Sequence, residues 1–258
     1  MRVSYIYINT LIDAFYLTEN DNYIEQIEQI IRGTVHPQDD MATRQFDDIE
    51  FTWFYTVFFQ AVIRYLNVKE ELIEYDTDYY YARSSLIVYA RWMADNETPY
   101  LDTPERLDYP NDTWAAQEIR KANILFYAAL YSTENRQLFL DKADFFYNYV
   151  TATVTASDTR HFSRILALLM QNHGPNRVLF AELITKADER MTTVKMDDIE
   201  SLQYLSTTHI LKQMTADFAK LLVRFNLKKE LRWLSVRSAT VKQLLERTKL
   251  AWLVQIND

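Results

Sequence analysis

The stretch Leu107-Asp-Tyr-Pro-Asn-Asp-Thr-Trp-Ala-Ala-Gln-Glu-Ile-Arg-Lys121 runs from a turn-forming Pro110-Asn111-Asp112 into an Ala-rich helix predicted over 113–131. Pro110 disfavours helix at Tyr109. Asp112 or Thr113 can offer a side-chain oxygen to a free amide of the first turn. At about 100° per residue, Trp114, Gln117, Glu118 and Lys121 share one face, which Ile124, Leu125 and Ala128 continue. The opposite face, Ala116, Ile119, Ala122, Phe126 and Leu130, is apolar as well. A helix that is apolar on nearly all sides is buried. The polar end of this one is therefore predicted to open on a cavity, a partner or a solvated rim.

Working outward, the 258 residues contain only 2 glycines and 5 prolines. Sheets and tight hairpins use more of both, so the composition favours helices joined by few turns. At 48% hydrophobic and 25% charged, the chain has the balance of a soluble globular protein. It has no cysteine, which excludes disulfides and thiolate chemistry and fits a cytoplasmic location. No secretory leader is read at the N-terminus, and no uncharged apolar run approaches the ~18 residues of a membrane span.

Helices are predicted over 4–17, 22–32, 49–67, 78–95, 113–131 and 136–153. Two further pairs follow, 159–172 with 175–191 and 198–225 with 228–254, which makes five pairs. The connections alternate. Short turns at 18–21 and 132–135 contrast with long polar segments at 34–48 and 96–112. A repeat marks the short turns: Tyr16-Leu17-Thr18-Glu19-Asn20 matches Tyr131-Ser132-Thr133-Glu134-Asn135. Tyr65-Leu66-Asn67 lies between them, a spacing of roughly 50–60 residues per helix pair.

These turns, with Tyr23, resemble those of an α/α toroid, the barrel of helical hairpins shared by six-hairpin glycosidases, uronic-acid hydrolases, sugar epimerases and some polysaccharide lyases. The resemblance covers roughly residues 4–153 and bears on architecture more than on chemistry. It implies an all-α toroid or partial toroid body, 1–197, and a carbohydrate-active or carbohydrate-binding protein. It does not choose among hydrolase, epimerase, lyase and a binding protein without catalysis.

In such a ring the two long segments share one end, where function concentrates on irregular chain held by a rigid scaffold. Three polar stripes point to a lumen: Tyr5, Asn9 and Asp13; Glu50, Trp53, Gln60 and Arg64; and Trp114, Gln117, Glu118 and Lys121. Solvated helix faces would give the same pattern. Aromatic faces beside carboxylates and amides suit sugar rings, which stack their C–H faces and hydrogen-bond their hydroxyls. Trp53, Tyr109, Trp114, Gln117, Arg120 and Lys121 are the candidate substrate-binding residues. Lys121, paired with Glu118 three residues before it, is expected to reach a carboxylate-bearing sugar, with Trp114 as the stacking face. The competing reading makes Trp114 a core plug. Glycoside hydrolysis needs two carboxyls roughly 5–10 Å apart, and the candidates are Asp39, Asp40, Asp108 and Glu118. His36 with Asp39 and Asp40 has donors for a metal, but His-x-x-Asp-Asp in a loop is ordinary polar surface, so no metal and no cofactor are expected.

The charge is uneven. Residues 205–258 hold 10 lysines and arginines against 4 acids, a net +6 within a chain of net −8. An acidic body argues against generic nucleic-acid binding. The basic, Leu-rich end at 198–258 is predicted to form a helical pair anchored by Trp233, Leu234, Leu244, Leu245 and Trp252. Packing on the acidic body is favoured over contact with an anionic membrane surface. The alternative to a glycan protein is a non-catalytic helical-repeat scaffold that docks a protein partner.

Overall fold

A computed structural model describes Met1, residues 3–172 and the isolated positions Lys212, Thr215, Leu231, Gln243 and Arg247. The chain divides into two compact units, Met1–Leu205 and Ser206–Asp258. The helices predicted at 175–191, 198–225 and 228–254, with their Trp and Leu anchors, lie outside the described residues. Among the described residues the regular elements are helices and there is no strand, in agreement with the predicted all-α class. No helix among them is long and apolar enough to cross a membrane.

The helices are α1 (Ser4–Thr18), α2 (Asn22–Arg32), α3 (Ile49–Thr52), α4 (Phe54–Glu71), α5 (Thr77–Asn96), α6 (Asp112–Tyr131), α7 (Arg136–Ala156) and α8 (Ser163–Asn172). Local chemistry explains their ends. α1 stops because Glu19 turns left-handed (φ 52°) and returns its amide to the Phe15 carbonyl at 2.7 Å. Asp76 caps α5 by accepting from the Tyr79 amide. The helix predicted over 49–67 is interrupted at Trp53. There the Thr56 amide reaches back only three residues, to the Trp53 carbonyl, and tightens one turn. The cap of α6 is Asn111, one residue before the predicted pair: it is extended, and its side-chain oxygen accepts from the Thr113 amide at 2.9 Å.

The hairpins α1–α2, α4–α5 and α6–α7 lie side by side in two layers. α1 packs on α4, α4 on α6 and α6 on α8; α2 packs on α5 and α5 on α7. α1 and α4 run parallel, since Arg64 reaches Asn9 (3.0 Å) while Tyr16 reaches Glu71 (2.8 Å), the same offset along both helices. One continuous core runs between the layers. It includes Ile8, Ile12, Phe58, Tyr65, Tyr81, Tyr89 and Phe146, all buried. The Tyr79-Tyr80-Tyr81 run is packing: all three are buried.

Candidate ligand-binding site

The two long segments meet at one end of the body. Phe46 of the first packs on Trp92 at 4.6 Å between ring centroids, and Asp47 pairs with Arg106 of the second at 3.8 Å. Glu50 accepts the Asp108 amide at 2.9 Å. Beneath them a small apolar cluster of Ile49, Tyr100, Leu107 and Trp114, with Trp53 and Leu101, seals the second segment onto α6. A cavity of about 290 Å³ remains between the segments, walled by Phe46, Trp53, Tyr55, Trp92, Glu97 and Tyr100 among others, with Lys121 reaching its floor.

Lys121 is fully buried. Its Nζ lies 2.8 Å from Glu97, 2.9 Å from Glu118 and 3.1 Å from the Thr98 carbonyl, and 3.6 Å above the Tyr100 ring centroid. Tyr55 donates its hydroxyl to the other Glu97 oxygen, and the Tyr100 amide donates to Glu118 at 2.6 Å. Two carboxylates thus share one ammonium away from water. Burial pushes the Glu118 carboxyl up to about 7, against the pull of Lys121 and the Tyr100 amide. Burial also works against the Lys121 charge, but Glu118 and Glu97 outweigh it and hold the ammonium protonated well above its usual range.

The predicted stripe on α6 therefore faces protein. Trp114 (8% exposed), Gln117 (4%) and Glu118 (0%) are buried, and Tyr109 is exposed at the rim. The reason is the second segment: its helical turn at Tyr100–Asp102 lies against α6, and covering that face requires its charges to be paired. Asp39 braces its own segment. It accepts from the His36 amide, from Arg44 and from the Tyr89 hydroxyl at 2.6 Å, while His36 Nδ1 accepts the Gln38 amide. Asp40 caps the following helical turn by accepting from the Ala42 amide. None of Asp39, Asp40, Asp108 and Glu118 lines either of the two cavities described here. His161 follows α7 and donates its amide to Thr159; His173 and His209 lie outside the described residues.

The second cavity, of about 820 Å³, is an open groove along the layer formed by α1, α4, α6 and α8. Two of the predicted stripes reach it: Tyr5 and Asn9 from α1, and Trp53, Gln60 and Arg64 at and along α4. α6 contributes a different face, Arg120, Asn123 and Tyr127, and α8 adds Gln171 and Asn172. Sequence reasoning missed Asn123, Tyr127 and the α8 amides. Their signal was present as a 120, 123, 127 stripe at helical spacing, overshadowed by the stronger charges at 118 and 121. Gln60 donates to Asn172, which ties α4 to α8 across the groove. Trp53 borders both cavities, stacked on Phe54 with ring centroids 3.9 Å apart.

No family model, curated protein or solved structure matches this chain.

Proposed function

We propose that this chain binds an oligosaccharide along the α1–α4–α6–α8 groove, on a hairpin array related to the α/α toroids. The observation that supports this reading is the groove's lining. Tyr5, Trp53 and Tyr127 offer aromatic faces, and Asn9, Gln60, Asn67, Asn123 and Gln171 offer neutral amides that both donate and accept. A sugar presents the matching pattern, with apolar C–H faces and hydroxyls that do both. Of the candidate acids, Glu118 is sequestered, Asp39 and Asp40 are engaged in their own loop, and Asp108 is exposed without lining the groove. Binding is therefore the core of the proposal.

One observation favours the second reading, a scaffold for a protein partner. α1 exposes Ile6, Tyr7 and Leu17, with Val3 just before it. Such a run of apolar side chains is the kind of surface on which partners dock. A glycan array probed with the full chain, followed by calorimetry, separates the two. The expected result is micromolar-to-millimolar binding to at least one oligosaccharide, weakened about tenfold or more by Trp53→Ala through loss of a stacking face. An array without signal would remove the glycan reading and leave the scaffold.

A further inference from the structure

The charge of the groove carries the glycan reading a step further. The chain is acidic overall, with net charge −8, yet among the described residues the lining holds Arg64 and Arg120 and no aspartate or glutamate. The two arginines differ. Arg64 is compensated: it donates to Asn9 and pairs with Asp13. Arg120 is not. Among the described residues its guanidinium donates only to Gln117, at 2.8 Å, and its Nε is buried without an acceptor. No carboxylate lies within ion-pair distance of it there. Its guanidinium carbon sits 5.5 Å from the Trp53 ring centroid, held against the same side chain that offers the stacking face.

Burial lowers the Arg120 pKa, and the charge of Arg164 on α8 acts in the same direction. Among the described residues no counter-ion offsets the desolvation of this cation, an electrostatic cost that an anionic ligand would relieve. Holding one guanidinium nitrogen on Gln117 also fixes the plane of the fork in advance, so a ligand need not order it.

On the glycan reading, we infer that the groove selects sugars bearing a carboxylate, and that Arg120 is the residue that reads that charge, beside a ring stacked on Trp53. The sequence assigned this role to Lys121, which is already neutralised by Glu97 and Glu118; Arg120, its neighbour in sequence, faces the groove instead.

The test uses the full chain and matched hexasaccharides: glucan with glucuronan, mannan with mannuronan, galactan with galacturonan. Calorimetry at about 50 mM salt is expected to give at least one uronate oligomer about tenfold or more tighter binding than its neutral counterpart. That preference should shrink as salt rises to about 500 mM. Arg120→Gln should bring the uronate affinity down toward the neutral value. Equal affinity within every pair would overturn the inference and leave glycan binding standing. No binding to any of them would remove both. A preference that survives Arg120→Gln would take the role from Arg120. Should that variant not fold, the wild-type salt series decides: a preference insensitive to salt overturns the inference.

Discussion

Lys69 and Lys121 are both buried lysines that fasten a connection to a helix, yet they do so in opposite surroundings. Lys69, near the end of α4, pairs with Glu74 and Asp76 of the connection to α5, and with Glu28 of α2 at 3.3 Å. The Glu74 and Asp76 side chains are 51% and 49% exposed. Lys121 pairs with Glu97 at 12% and Glu118 at 0%. Two of the three acids on Lys69 remain in water, with only Glu28 (16%) largely buried, whereas neither acid on Lys121 does. The first arrangement needs little compensation and gives modest stability. The second is costly to assemble and hard to break, because any member left alone is an unpaired charge in protein. The long segment over α6 is thus the more firmly fixed of the two connections, which makes it a rigid wall for the 290 Å³ cavity.

The largest expected effect tests that contrast. Lys121→Ala should destabilise the protein by about 3–5 kcal/mol near pH 7.5, since it strands Glu118 and Glu97 together. Lys69→Ala should cost less, about 1–2 kcal/mol, because Glu74 and Asp76 can turn to water and the largely buried Glu28 keeps the Tyr65 hydroxyl when it loses the lysine. Chemical denaturation of both variants measures this. Equal losses would mean that the exposure of the partners does not decide the strength of the clamp.

The next effect concerns protons. Folded Glu118 titrates at about 7, above the ordinary 4.5 of the unfolded chain, so the folded state binds this proton more tightly. Its contribution to stability is therefore fully present below about 4.5 and is lost as pH rises through about 7. Taking up the proton leaves a neutral Glu97–Lys121 pair. Relative to Glu118→Gln, which cannot titrate, the wild type should gain stability between pH 7.5 and 4.5, by an amount on the order of 3 kcal/mol. Denaturation curves for the two proteins across this range provide the measurement. Parallel pH profiles would mean that Glu118 is ionised with an ordinary affinity for its proton.

The same contrast explains what the sequence made legible. Apart from the break at Trp53 that separates α3 from α4, the helices up to α8 were readable because turn residues and apolar periodicity mark them directly: Gly33, Pro110 and the Tyr-x-Thr-Glu-Asn turns sit where helices stop or start. The meeting of the two long segments followed from the alternation of short and long connections. The facing of α6 did not follow. Glu118 and Lys121 at i and i+3 read identically whether solvated or sealed, because pairing satisfies them in either place. Alanines at 115, 116, 122, 128 and 129 allow close approach on several sides, so the apolar pattern does not single out one lining face. The groove-facing Arg120, Asn123 and Tyr127 became recognisable only once α4 and α8 stood beside them. Buried Lys69 was likewise invisible, since it and its partners Glu74 and Asp76 fall between the predicted helices 49–67 and 78–95.

The smallest effect probes the connection that Lys69 fastens. Ile73 sits in the left-handed region (φ 60°), where a β-branched side chain crowds its own backbone, and it is 77% exposed. Its amide reaches the Glu70 carbonyl at 3.2 Å, and the Glu74 amide returns to the Lys69 carbonyl at 2.9 Å, so the turn closes on the end of α4. Glycine relieves the crowding and loses almost no packing, but it adds conformational freedom to the unfolded chain. The difference favours Ile73→Gly by about 0.5–1 kcal/mol. If Lys69 is what holds the strained turn, the gain should shrink in a Lys69→Ala background, where Glu74 and Asp76 are released and the turn can relax by itself. A double-mutant cycle read by thermal melting measures that coupling. A full gain in both backgrounds would show that α4 and its own hydrogen bonds, rather than the lysine, impose the left-handed turn. A destabilised Ile73→Gly would show that the exposed isoleucine contributes packing that its exposure does not suggest.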